Sequence, residues 1–427
     1  MKNKIFWFFW AGQTVSLLGS AMTGYALSLW AYAQTGKAFT VSLLTLCACL
    51  PYTLLAPLAG ALADRLPKKT LLLWPDAVSA AATACALLLL RAGGLRVPHL
   101  YVLNTVLGCM GALQSPAAAT AFGLLVPQGE IARAMGVRSF GDAATTLLAP
   151  VLAAAVLSLA GLPWVLGCDL AAFALAFPCV FFLVRLPAGP RGEKKPLRAD
   201  LREGARWLRG CPGMRVLVVG IALINLFSRL TYENVLTPML VARSGSGAVA
   251  GAVNSMLGLA GLLGGLFVAA DRKRRDPVRM VWGWCALSFL TGDLLMGLGR
   301  SLPVWLIAGF CASFPIPLIV AGQNVLFYGA VPRELQGRVY AVKTALQQAT
   351  VPVGLLLGGA LADRVFEPLM ASGNAPARLL APLVGTGRGS GMAAMFLCTA
   401  LLGSACSLRF LRSPALRALA EQVRRNT

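Results

Sequence analysis

The 427-residue sequence predicts an all-α membrane protein, with twelve transmembrane helices in two pseudo-symmetric six-helix bundles. Three observations predict it. Hydrophobic residues make up 57% of the chain and charged residues only 13%, about half the ~25% usual in a soluble domain. A mean hydropathy of +0.72 points to lipid as the solvent, and excludes both a soluble multidomain protein and a disordered chain. Runs of some 20 apolar residues, the length that crosses a bilayer, recur along the whole chain. Finally, marks in the first half reappear in corresponding places in the second.

The apolar runs of the first half fall at about 5–33, 40–63, 70–90, 99–125, 140–160 and 163–185. Those of the second half fall at about 215–242, 247–270, 278–299, 301–329, 342–362 and 391–411. Several contain proline, as Pro51 and Pro57 do in the second run. Membrane helices tolerate this when neighbours satisfy the freed carbonyls. The first run follows Lys2 and Lys4 like a signal peptide. It is too long for one, lacks a small-residue cleavage site and leads straight into another span.

An even number of spans puts both termini on one side. With that side cytoplasmic, 29 of the 38 Lys and Arg residues fall in inner segments. Basic loops resist translocation and are held by anionic lipid, so the bias predicts cytoplasmic termini. The net charge of +22 then marks orientation rather than a nucleic-acid footprint. The predicted organisation is a first bundle at 1–185, a cytoplasmic linker at 186–214, a second bundle at 215–411 and a cytoplasmic tail at 412–427. Within the linker, Leu201, Ala205 and Leu208 recur at helical spacing with arginines between them, as in an amphipathic helix lying on the inner membrane surface.

The halves share four marks. Asp64-Arg65 and Asp271-Arg272 are 207 residues apart, Val126-Pro127 and Val331-Pro332 205, Arg133 and Arg338 205, and Pro150 and Pro352 202. Parallel six-span repeats are a transporter architecture, with the substrate site near the midplane between them.

Gly60-Ala61-Leu62-Ala63-Asp64-Arg65-Leu66-Pro67-Lys68-Lys69 resembles the loop motif G-x-L-a-D-R-x-x-[KR]-[KR] of the major facilitator superfamily, in its expected place between spans two and three. Phe9-Trp10-Ala11-Gly12-Gln13-Thr14-Val15-Ser16-Leu17-Leu18-Gly19-Ser20, Leu50-Pro51-Tyr52 with Pro57, Val126-Pro127 and Gly337-Arg338-Val339 are similar to one branch, the macrolide-efflux and enterobactin-exporter-like proteins. The resemblance implies twelve helices in two bundles, alternating access by rocking, and export of drugs or metabolites in exchange for protons. Two departures stand out. The second loop copy has Phe267 where the motif has glycine, and the glycine-rich antiporter signature of span five is replaced by Ala149-Pro150-Val151-Leu152-Ala153-Ala154. After span eleven, Asp363-Arg364 resembles the loop motif again but falls on the outer side, as a separate extracellular element.

The resemblance makes Gly60, Asp64, Arg65, Lys68 and Lys69 a gate that holds the bundles in one state and releases in another. Asp271, Arg272 and Arg338 are its second-half counterpart, although for Arg338 topology anchoring by charge is the simpler reading. A carboxylate inside a span is costly unless neutral, paired or hydrated, so it suggests function. Asp76 and Asp169 are candidates for proton or substrate coupling. Interfacial hydrogen bonding is the plain alternative for Asp76, as it is for Asp142, and for Asp169 the role is coupling or helix tethering. Arg229 and Glu233, four apart on span seven, share a helical face. They form either a coupling pair in the cavity or a self-neutralised pair. Asp293, near the outer end of span nine, reads as structural. Gln13, Asn225 and Gln323 are candidate cavity residues.

His99 is the only histidine, the 11 cysteines show no CxxC pattern, and no P-loop is present. The sequence therefore predicts no enzyme, no metal site and no bound cofactor, with the proton-motive force as energy source. It predicts a monomer in the inner membrane that handles a small molecule, contacts the bilayer and binds no nucleic acid. The expected function is alternating-access, proton-coupled efflux of an amphiphilic drug or metabolite. The alternatives are a uniporter or uptake carrier for a polar solute, or a non-transporting receptor or scaffold.

Overall fold

The computed structural model describes residues 4–65, 67–124, 131–183, 197–270, 276–332 and 335–426. Among these the chain is helical, with no strand. It divides into two compact units, Met1–Glu193 and Lys194–Thr427.

The first unit contains α1 (Lys4–Thr35), α2 (Ala38–Arg65), α3 (Lys68–Arg91), α4 (Val97–Leu124), α5 (Ile131–Ala160) and α6 (Leu162–Pro178), which continues as a π-helical turn, Cys179–Leu183. Here α1 packs on α5 and α6, α2 on α4, and α3 on α4 and α6. α5 starts nine residues before its apolar run. Hydropathy marks the stretch that suits lipid, whereas the helix extends through the polar turns beyond it. Leu27, Leu44, Leu100, Val165 and Leu166 form one buried cluster; Phe6, Phe9, Leu72 and Val180 form another. In a bilayer such clusters stabilise by close packing rather than by exclusion of water.

The second unit starts with α7 (Leu197–Gly210), followed by α8 (Pro212–Thr231) and α9 (Leu236–Ser244), the two halves of a span broken at residues 232–235. α10 is Gly247–Ala270. The ninth span alternates between π-helical turns Arg279–Gly283 and Ser288–Asp293 and the α-helical pieces α11 (Trp284–Leu287) and α12 (Leu294–Leu298). α13 (Leu302–Ser313) and α14 (Ile316–Ala330) make the tenth span, interrupted at Phe314-Pro315. α15 (Gln336–Leu361) runs through the π-helical turn Ala362–Phe366 into α16 (Glu367–Ala371), so Asp363 and Arg364 lie within a continuous helix. Then come α17 (Ala375–Val384), α18 (Ser390–Leu411) and α19 (Pro414–Asn426).

Two elements of this unit are docked rather than loose. α7 packs on α15 and α8 with Leu208 buried. Gly204 lies against the Arg338 carbonyl, where a Cβ would clash. α19 packs on α8 and α14 through Leu416, Leu419 and Val423. The unit's core holds Met214, Ile221, Trp282 and Phe327, and Trp282 stacks on Phe410 at 4.6 Å.

Ten helical segments meet both the length and the hydropathy needed to cross a membrane among the described residues. α1 and α4, at 32 and 28 residues, are also long enough, and together these match the twelve runs of the sequence. Leu88 and Val102 are 66% exposed and Leu159 is 88% exposed. Large apolar side chains exposed to that degree on many helices suit contact with acyl chains.

Candidate functional site

A cleft of about 630 Å³ opens in the first unit among α1 to α5. Its wall carries one half-buried carboxylate, Asp76 of α3, set between two amides. Gln114 of α4 donates Nε2 to Asp76 Oδ1 at 2.6 Å. Gln13 of α1 lines the same cleft, with its buried side-chain amide beside Asp76 on the other side. The indole Nε1 of Trp10, one turn earlier, is buried and unpartnered among the described residues. Arg138 and Asp142, four apart on α5, line the cleft as well. An apolar wall with a few convergent polar groups is the usual make-up of a small-molecule site.

Behind Asp76 lies a gap of about 20 Å³ bordered by Ser16, Ser20, Ser79, Asp76 and Asp169. Asp169 of α6 is 8% exposed. Its two oxygens accept from Ser20 Oγ at 3.1 Å and Thr83 Oγ1 at 3.3 Å. The structure therefore brings the two carboxylates onto one serine-lined gap, with three helices tied at Asp169.

In the second unit Arg229 Nη1 pairs with Glu233 Oε1 at 2.7 Å, while Arg229 Nε is buried with no hydrogen-bond partner among the described residues. The pair sits where α15 comes close. Gly354 faces Arg229 Cβ, and Gly358 lies against the Leu230 carbonyl. Such small-xxx-small spacing lets helix backbones touch. Asn225 is half-buried on α8 and Gln323 is buried on α14. Neither lines the cleft of the first unit.

Of the loop-motif residues, Lys69 donates to the Phe181 carbonyl and lies 5.5 Å from that residue's ring centre. Gly60, Asp64 and Arg65 belong to α2 and Lys68 to α3. Their side chains lie outside the described residues, as do Asp271 and Arg272 altogether. Arg338 Nη1 pairs with Glu203 Oε1 of α7 at 2.5 Å. Nothing in the sequence pointed to this partner, because Glu203 reads only as one polar residue of an amphipathic helix.

A model of the Major Facilitator Superfamily matches residues 9–348. The chain belongs to the major facilitator superfamily. It is thus a multi-pass membrane transporter and not an enzyme. Among its superfamily relatives, the chain is 25% identical over 370 residues to macrolide efflux protein A of Streptococcus pyogenes, covering 84% of this chain and 90% of that one. It is 28% identical over 370 residues to the uncharacterized transporter YfiS of Bacillus subtilis (strain 168), covering 83% and 85%. It is 25% identical over 364 residues to the multidrug efflux pump Tap of Mycolicibacterium fortuitum, covering 81% and 86%. A bacterial homologue of the iron transporter ferroportin in its inward-facing state superposes with a TM-score of 0.70 at 15% identity, covering 97% and 100%. The nucleoside transporter NupG superposes at 0.72 and 13% identity, covering 96% and 100%. Both share the all-α fold of this chain.

Proposed function

We propose that this transporter exports an amphiphilic small molecule across the bacterial cytoplasmic membrane in exchange for protons, by alternating access. The cleft of the first unit carries the reading. It offers a buried indole donor with no partner among the described residues, Trp10 Nε1, and the amide of Gln13 beside a half-buried carboxylate, Asp76. A ligand with an apolar body and ether, carbonyl or hydroxyl oxygens satisfies that indole donor. Relatives bearing the names macrolide efflux protein A and multidrug efflux pump Tap support export as the direction.

Asp76 and Asp169 serve as the coupling carboxylates. The gap between them has about the volume one water needs, which gives a proton a short route from the cleft wall to the helix junction. Arg229 and Glu233 serve the second unit as a charge pair whose opening accompanies the cycle. Gln13 belongs to the ligand-facing wall, and Asn225 and Gln323 to the corresponding surface of the second unit.

Both termini lie in the cytoplasm, on the strength of the 29 of 38 basic residues in inner segments. The loop residues Gly60, Asp64, Arg65, Lys68 and Lys69, with Asp271 and Arg272, then form the cytoplasmic gate. The Arg338–Glu203 pair couples the linker helix α7 to span eleven on that same side. The protein works as a monomer, without a bound cofactor, on the proton-motive force.

The test is flux in everted membrane vesicles energised to an acidic interior. Uptake of a macrolide or a lipophilic dye that collapses on adding an uncoupler is expected, and Gln13→Ala should weaken the apparent affinity. Flux that ignores the uncoupler sinks the coupling, and no flux of any compound in an amphiphilic panel sinks the export reading.

A further inference from the structure

In the second unit a carboxylate is buried where the seventh, ninth and twelfth spans meet. Asp293 closes the π-helical turn Ser288–Asp293 and is 1% exposed. Tyr232 Oη donates to Asp293 Oδ1 at 3.0 Å, and Thr399 Oγ1 donates to Oδ2 at 2.6 Å. Of the other titratable groups around this junction, Cys311 of α13 faces Tyr232, and Cys398 adjoins Thr399 in α18. The nearest charges along span seven, Arg229 and Glu233, are paired with each other. Among the described residues Asp293 has no ion-pair partner; its donors are two hydroxyls.

The first unit contains the same junction. There the first, third and sixth spans meet at Asp169, with Ser20 and Thr83 as donors. In the second unit the carboxylate has moved from the sixth helix of the set to the third, and hydroxyls occupy the other two. A serine or asparagine would tie three helices at lower cost than a carboxyl group in lipid. Asp293 also stands on a π-helical turn, a feature frequent at functional sites.

We propose that Asp293 is a proton-binding site of the second unit and that it signals its occupancy to the break in span seven through Tyr232. The inference rests on the proton-coupled reading above. When Asp293 is ionised, both its oxygens accept. When it takes a proton, one oxygen becomes a donor; Thr399, whose Oγ1 also reaches the Phe396 carbonyl at 3.1 Å, can turn to accept it, and Tyr232 is left donating to a neutral acid, a weaker bond than one to a carboxylate. Tyr232 is the first residue of the break between α8 and α9. Glu233 follows it, paired with Arg229, and then Asn234, whose Nδ2 donates to the Leu355 carbonyl at 2.7 Å. Discontinuous membrane helices are where transporters place their ion sites, and a Tyr232 held more loosely bears on both anchors of this one.

The test reads protonation itself, not flux, and so stands apart from the efflux assay. Infrared difference spectra of the full-length protein in nanodiscs, titrated with pH, should show a protonated-carboxyl stretch that Asp293→Asn removes. Tyr232→Phe and Thr399→Val retain the acid and should shift that band; they keep the test open if Asp293→Asn fails to fold. A band that does not titrate, or spectra of all three variants matching the parent, overturns the site. Hydrogen exchange at residues 232–236 should change with pH beyond the intrinsic rate, and Tyr232→Phe should abolish the change. Persistence of the change in Tyr232→Phe overturns the relay. Uncoupler-insensitive efflux alongside a titrating Asp293 band would count against proton-coupled export while leaving the site standing.

Discussion

Gln114 on α4 donates Nε2 to Asp76 Oδ1 on α3 at 2.6 Å, across 38 residues of chain. The bond ties two packed helices at the wall of the cleft and fills one acceptor position of the carboxylate. Gln114→Leu leaves that oxygen without its amide donor, at a cost of about 1–3 kcal/mol. A lower thermal midpoint for the purified protein is expected. An unchanged midpoint would mean that water replaces the amide freely.

Asp76→Asn preserves the shape of the side chain and removes its ability to carry a proton. Export driven by a pH gradient should fall by about tenfold or more, equivalent to at least ~1.4 kcal/mol, while ligand binding measured at equilibrium persists. Retained gradient-driven export would move the coupling role to Asp169 or to the second unit.

Gly358 on α15 lies against the Leu230 carbonyl of α8, closer than any Cβ allows. Gly358→Leu should force the helices apart and destabilise the protein by about 1–3 kcal/mol or more. Asn234, which donates to the Leu355 carbonyl at the same contact, should lose its bond at the same time. The check is thermal unfolding in detergent, with Gly385→Leu unsuited as a control because its φ of 83° is strained for any side chain. Gly265→Leu, where a Cβ meets nothing within 4 Å, should leave the midpoint close to that of the parent.

Arg338 and Glu203 are 28% and 47% exposed, so water screens their pairing. A double-mutant cycle with Arg338→Ala and Glu203→Ala should give a coupling of about 1 kcal/mol or less. Gly204→Leu, next to Glu203, meets the Arg338 backbone itself and should displace α7 outright. A protease that cuts in α7 would then act faster on Gly204→Leu than on either charge variant. Equal rates in all three would mean that α7 is held elsewhere.

Arg229 pairs with Glu233 while its Nε is buried without a partner among the described residues. Glu233→Gln should leave that guanidinium poorly compensated and lower the midpoint. Replacing both residues with apolar ones should recover the small loss expected of a pair 26% and 44% exposed, because the buried Nε then goes too. A double variant less stable than Glu233→Gln alone would show that the pair stabilises the span in its own right.

The number and position of the spans were legible in the sequence because lipid reads each stretch of chain on its own. Hydropathy over 20 residues is a local property, and the apolar run predicted at 247–270 coincides with α10. The duplication was legible too, since Asp64 and Asp271 keep a 207-residue spacing however the helices pack. Composition likewise excluded a soluble protein before any helix was placed.

Only the tertiary structure decided who meets whom. Asp169 read as a coupling or helix-tethering acid with no named partner, and its donors Ser20 and Thr83 lie 149 and 86 residues away. Asp293 read as structural because it lies near the outer end of span nine, and only the fold brings Tyr232 and Thr399 to it. Spacing along one helix did suffice for Arg229 and Glu233, whose contact is local. The amphipathic pattern of α7 indicated an apolar face without indicating that span eleven packs against this helix. Pattern reports what each segment's surface wants, but polar pairing depends on which faces the fold turns toward one another, and that is settled by packing across the whole unit.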